Sequence, residues 1–84
     1  AFFRERYAYL RDALVRDVEL ARAAGEFGDG VDPTTAAELL ISAADGLQLR
    51  WLGDRRIDMV AQLRELWRSL CELSSKDRSA QLAR

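Results

Sequence analysis

The chain has no histidine, one cysteine, one proline and one lysine in 84 residues. Without histidine, Cys71 and the serines have no imidazole base to activate them, and a zinc site would have to do without its commonest nitrogen ligand. A lone cysteine cannot form a disulfide within the chain. Cys71 falls among Trp67, Leu70 and Leu73, so it reads as a small core hydrophobe, and the cysteine usage fits a reducing, cytoplasmic setting. There is no apolar run near the roughly 18 residues of a membrane span, and no signal-peptide pattern. Neither charge sign dominates: 13 basic residues face 14 acidic ones, for a formal net charge of −1. That argues against nucleic-acid binding by this segment itself, which needs a basic face. No glycine-rich phosphate loop follows a strand, and no strand pattern is visible. The carboxylates lie beside arginines on solvated faces. We therefore expect neither an enzyme nor a bound metal or cofactor.

What is present is helical patterning, densest from Asp32 to Leu52. Asp32 is a good N-cap, and Pro33 suits the first helical position, where its missing N–H costs nothing. More than half of the residues from Pro33 to Leu52 are apolar. They form one row through Ala36, Leu40, Ala43, Leu47 and Trp51 and another through Ile41, Ala44 and Leu52. A helix that is apolar on several sides is covered on several sides, so the rest of the chain is expected to be arranged around it. Asp45-Gly46 reads either as a turn or as a tolerated step inside one helix. Because the apolar period continues to Leu52, the expectation is an unbroken helix. There Gly46, with Ala43 and Ala36, would let another helix come close.

On the N-terminal side, Phe3, Tyr7, Leu10, Leu14, Val18 and Ala21 share one helical face. Asp12 and Arg16 are spaced as an i,i+4 pair, and Gly25 supplies a stop at C′. The aromatics Phe2, Phe3, Tyr7 and Tyr9 read either as the wall of a ligand cavity or as ordinary core. Residues 25–31 (GEFGDGV) form a loop pinned by Phe27 and Val31. Its acidic residues do not complete a calcium loop. Beyond Leu52, Gly53 suits C′ and Asp54 or Asp58 caps a third helix. Arg55 and Arg56 read as solvated cations. The stripe Ile57, Val60, Leu63, Leu66, Trp67, Leu70 and Leu73 follows, with Arg68–Glu72 at i,i+4. The stripe fades from Ser74. The expectation is an all-α domain over residues 1–73 with helices near 2–24, 33–52 and 58–73, antiparallel because the connections are short, and a polar tail over 74–84.

Three helices in a chain this short cannot hide so much apolar surface. A homodimer in which the last two helices pair with their copies in a four-helix interface accounts for the excess. Its expected residues are Ala36, Leu40, Ala43, Gly46, Leu47, Trp51, Leu63, Leu66, Trp67 and Leu70. The alternatives are a stand-alone helical interaction module with its partner helix on another protein, and a non-catalytic piece of an enzyme.

Glu26-Phe27, then Val31-Asp32-Pro33, AAELLISAADGLQLRWL, a short Asp/Arg loop and IDMVAQLRELWRSL resemble the C-terminal half of TetR-type transcriptional regulators over about residues 14–73. The acid–glycine step Asp45-Gly46 followed by Trp51 carries much of the likeness. The resemblance implies a domain that binds a small-molecule effector and dimerises through its last two helices. A helix-turn-helix domain on the N-terminal side, not in this chain, would supply binding to operator DNA. It also implies an effector pocket, for which Phe3, Tyr7, Leu10 and Leu40 are the candidates on this chain.

Overall fold

The computed structural model describes the backbone of residues 2–82 and the side chains of residues 4–75. The elements in order are α1 (Phe2–Ala23), α2 (Pro33–Gly53) and α3 (Met59–Leu82). The described residues contain no strand. α2 is the shared element: α1 and α3 each pack on it, while the backbones of α1 and α3 do not approach one another among the described residues. The order is antiparallel at both seams. Val18 meets Ala36 in the core, Leu14 and Leu40 line one hollow, and Tyr7 and Gln48 line another. On the far seam Leu70 meets Ala36, and Leu66 and Gln62 line a hollow with Leu47 and Arg50.

Local chemistry sets the ends. Gly25 has φ +82°, a conformation glycine adopts without steric cost. It closes α1 in a Schellman arrangement, with Glu26 N–H donating to the Ala21 carbonyl (2.8 Å) and Gly25 N–H to that of Arg22 (3.1 Å). Asp32 caps α2 by accepting from Thr35 N–H at 3.2 Å, and Asp58 caps α3 by accepting from Ala61 N–H at 3.0 Å. α2 runs unbroken through Asp45-Gly46.

Three local expectations change. Gly53 is not a left-handed C′ residue but the last residue of α2, and extended Asp54 ends the helix by donating its N–H to the Arg50 carbonyl. The Asp54 carboxylate gathers the Arg56 N–H (3.1 Å) and guanidinium (2.9 Å), which turns the chain without a positive φ. Asp12 pairs with its neighbour Arg11, at 3.7 Å, in place of Arg16. α3 does not stop at residue 73 but continues to Leu82. Ser74 holds the helix because it falls in step with Trp67 and Leu70 and is itself buried.

The core lies where the end of α1, the loop and the middle of α3 converge on the start of α2. Val18, Phe27, Ala36 and Leu70 are buried there, with Ala21, Val31, Leu40, Leu66, Trp67 and Cys71 packed around them. Each large apolar side chain buried this way contributes about 1.5–3 kcal/mol. Away from this end α1 and α3 stand apart over α2. The radius of gyration, 14.6 Å, accordingly exceeds the roughly 12 Å of a compact domain of this length. The molecule is a layer with two open sides, and both carry candidate sites.

Candidate functional site

The first open side is a groove with α2 as its floor and α1 and α3 as its walls. A hollow of about 330 Å³ is lined by Leu10 and Leu14 from α1, Leu40, Ile41, Ala44 and Asp45 from α2, and Leu63 from α3. Nearer the core, Leu14 and Leu40 also line a smaller hollow of about 190 Å³ with Asp17, Val18 and Trp67. In the other direction Leu10, Ile41 and Asp45 lead into a hollow of about 350 Å³ completed by Arg6, Tyr7 and Gln48. Shared lining residues make these one trench, within the size range of small-molecule sites. It brings together three of the four residues expected to form a pocket: Tyr7, Leu10 and Leu40. The Phe3 side chain lies outside the described residues. Leu14 was visible in the α1 stripe. Leu63 and Trp67 were expected at a partner face, but they turn to the groove.

The core end of the trench is held firmly. Trp67 stacks on Phe27 with ring centroids 5.4 Å apart and planes 13° from parallel. The loop carrying Phe27 is buckled to α3 by Ser74. The Ser74 hydroxyl accepts from Gly28 N–H (2.9 Å) and donates to the Cys71 carbonyl (2.7 Å), while the Ser74 carbonyl accepts from Gly30 N–H (3.2 Å). A Cβ at Gly28 would stand 2.8 Å from the Ser74 carbonyl oxygen, so only glycine lets loop and helix come this close. Nothing in the sequence distinguished Ser74 from the residues after it. Its signal was register alone.

The second open side is the outer face of α2 and α3. Ala43, Gly46, Leu47 and Arg50 face Gln62 and Leu66 around a shallow hollow of about 370 Å³. Among the described residues, a Cβ at Gly46 would meet nothing within 4 Å. Of the ten residues expected at a partner interface, Ala43, Gly46, Leu47 and Leu66 line this face. Ala36 and Leu70 are enclosed in the core, and Leu40, Leu63 and Trp67 line the groove. Trp51 is half-buried beneath the Arg55 guanidinium, 3.8 Å from its ring, a cation–π contact. Two exposed leucines absent from that expectation, Leu39 (46%) and Leu73 (56%), fall on the same helical rows as Ala43 and Leu66. Leu39 lay outside the rows read from sequence, whereas Leu73 closed the α3 stripe but was not among the residues expected at a partner face.

The charged groups sit around these faces. Arg68 forks between Glu65 and Glu72, reaching Glu72 at 2.6 Å. Its hydrogen bonds, then its charge, hold the Glu65 carboxyl below its ordinary value. The Arg56 side chain, then its backbone N–H, does the same for Asp54. Arg11 spans from α1 to Glu38 of α2 at 4.0 Å, an exposed pair of little energetic weight. Burial, then the Glu26 charge, pushes the Cys71 thiol up, which keeps it a poor nucleophile at neutral pH. Among the described residues no group of three or more histidine, cysteine or acidic side chains is placed to hold a metal ion. None of their helices is long and apolar enough to cross a membrane.

Residues 1–81 match the family described as BetI-type transcriptional repressor, C-terminal. No curated protein and no solved structure matches the chain.

Proposed function

The chain belongs to the family of BetI-type transcriptional repressor C-terminal domains, the TetR-type regulatory domain that its sequence resembles, and from that premise we propose how it regulates. A small effector binds in the groove between α1 and α3. A second copy of the chain packs on the outer α2–α3 face. Operator DNA is held by an N-terminal helix-turn-helix domain beyond these residues. The domain works without catalysis, as an effector-sensing homodimer in the cytoplasm, where its operator lies.

The apolar groove is the observation that carries this reading. Its walls sit on different helices, so filling it bears on the separation of α1 and α3. α3 lines both sites: Leu63 and Trp67 face the groove, and Gln62 and Leu66 face outward. A shift of α3 on α2 therefore reaches both faces at once. An effector with higher affinity for one spacing of the paired domains moves the population toward that spacing, and its differential affinity sets how far.

Ala44 lines the middle of the groove and is half-buried. Titration with the uncharged fluorophore N-phenyl-1-naphthylamine tests the reading. The chain is expected to bind it saturably at one site, and Ala44→Leu, which fills that part of the groove, to weaken binding by about tenfold or more while the helical circular dichroism stays unchanged. One missing pocket volume of this size costs roughly 1–3 kcal/mol of binding. Equal binding by both proteins would remove the groove from the account.

A further inference from the structure

The trench is graded along its length. At the core end its walls are Leu14, Val18, Leu40 and the Trp67 ring, fixed by the Phe27 stack. At the far end the lining turns polar, with Arg6, Asp45 and Gln48 around Ile41. All three polar residues are exposed, and among the described residues neither Arg6 nor Asp45 has an ion-pair partner. Leu40 to Gln48 along α2 spans about 12 Å at the helical rise of 1.5 Å per residue.

Resting on the reading of this groove as the effector site, we infer that its ligand is an uncharged amphiphile about 12 Å long. Its apolar body lies between Leu14 and Trp67, and a hydroxyl or amide head sits at the Arg6–Asp45–Gln48 end. The apolar end has one polar neighbour, the exposed Asp17, so a polar head placed there would lose water with little in return. The polar end offers donors from Arg6 and Gln48 and acceptors from Asp45 and Gln48, which a hydroxyl or amide satisfies from both sides. Arg6 repels a cationic head and Asp45 an anionic one, so neither charge gains from the full set.

The test reads Trp67 emission in the Trp51→Phe chain, where Trp67 is the only indole left. The probes share one tail and differ in head: 1-decanol, decanoate and decyltrimethylammonium. Decanol is expected to bind saturably at one per chain and about tenfold more tightly than either charged probe. Gln48→Ala is expected to weaken decanol about five- to tenfold, the loss of about one hydrogen bond. It should weaken N-phenyl-1-naphthylamine, too short to span the trench, far less. Equal affinity for the three heads, tighter binding of a charged one, or indifference of decanol to Gln48→Ala would overturn the amphiphile while naphthylamine binding left the groove standing. Failure of all four probes to bind would overturn the groove itself.

Discussion

Ser74 and Gly28 show how much one polar residue and one absent side chain carry. The Ser74 hydroxyl is the partner of the buried Gly28 N–H, so Ser74→Ala leaves that donor without one. Such a loss costs about 1–3 kcal/mol, expected as a lower urea midpoint with an unchanged slope; an unchanged midpoint would show that water replaces the hydroxyl. Gly28→Ala is expected to destabilise by a similar amount, because its methyl meets α3 backbone rather than a side chain that can swing away. Asp54 and Glu65, two of the carboxylates with arginine partners, set a pH dependence. Both pKa values are depressed in the fold, from ordinary values of 3.8 for Asp54 and 4.5 for Glu65. Their contribution is therefore present above those values and lost as pH falls through the lower folded ones. Carboxyl carbon NMR should find both midpoints below the ordinary values, and Arg56→Ala should return Asp54 to its ordinary one.

At the scale of elements, the caps and periods were legible and the faces only partly so. Asp32, Pro33, Gly25 and Asp58 act as their residue types require, because a cap is decided by two or three adjacent residues. Asp32→Ala is expected to cost about 1 kcal/mol and to raise amide exchange in the first turn of α2; unchanged exchange there would mean that Pro33 alone sets the start. The apolar rows gave the number of helices and the central place of α2. They did not show which row faces which neighbour, since Leu40 and Ala43 are both apolar and three residues apart in one row, yet line opposite sides. That choice depends on where α1 crosses α2. Ser74, polar in name but in step with Leu70, was lost for the same reason: register and enclosure decide burial here, and composition does not record enclosure. Of the groove, Tyr7 and Leu10 lay in the α1 stripe and Leu40 in an α2 row, offered as pocket candidates by the family resemblance, whereas Trp67 faces it beside the loop residue Phe27.

At the scale of the whole molecule, a thin three-helix layer leaves an apolar groove on one side and a face of small and aliphatic residues on the other. On the proposed reading the groove takes an effector and the face a second copy of the chain, with α3 lining both. Gly46 separates this from a free-standing layer most directly. A Cβ there meets nothing within 4 Å among the described residues, and replacing glycine inside a helix gains up to about 1 kcal/mol. Gly46→Leu should thus favour the monomer fold while blocking close approach of a partner helix. The measurement is sedimentation equilibrium of the chain and of Gly46→Leu over one concentration series, each checked for helical content. The expected result is a dimer for the parent chain and a well-folded, more weakly associating Gly46→Leu. A parent chain that stays monomeric throughout, or a Gly46→Leu that pairs as tightly as its parent, would contradict it.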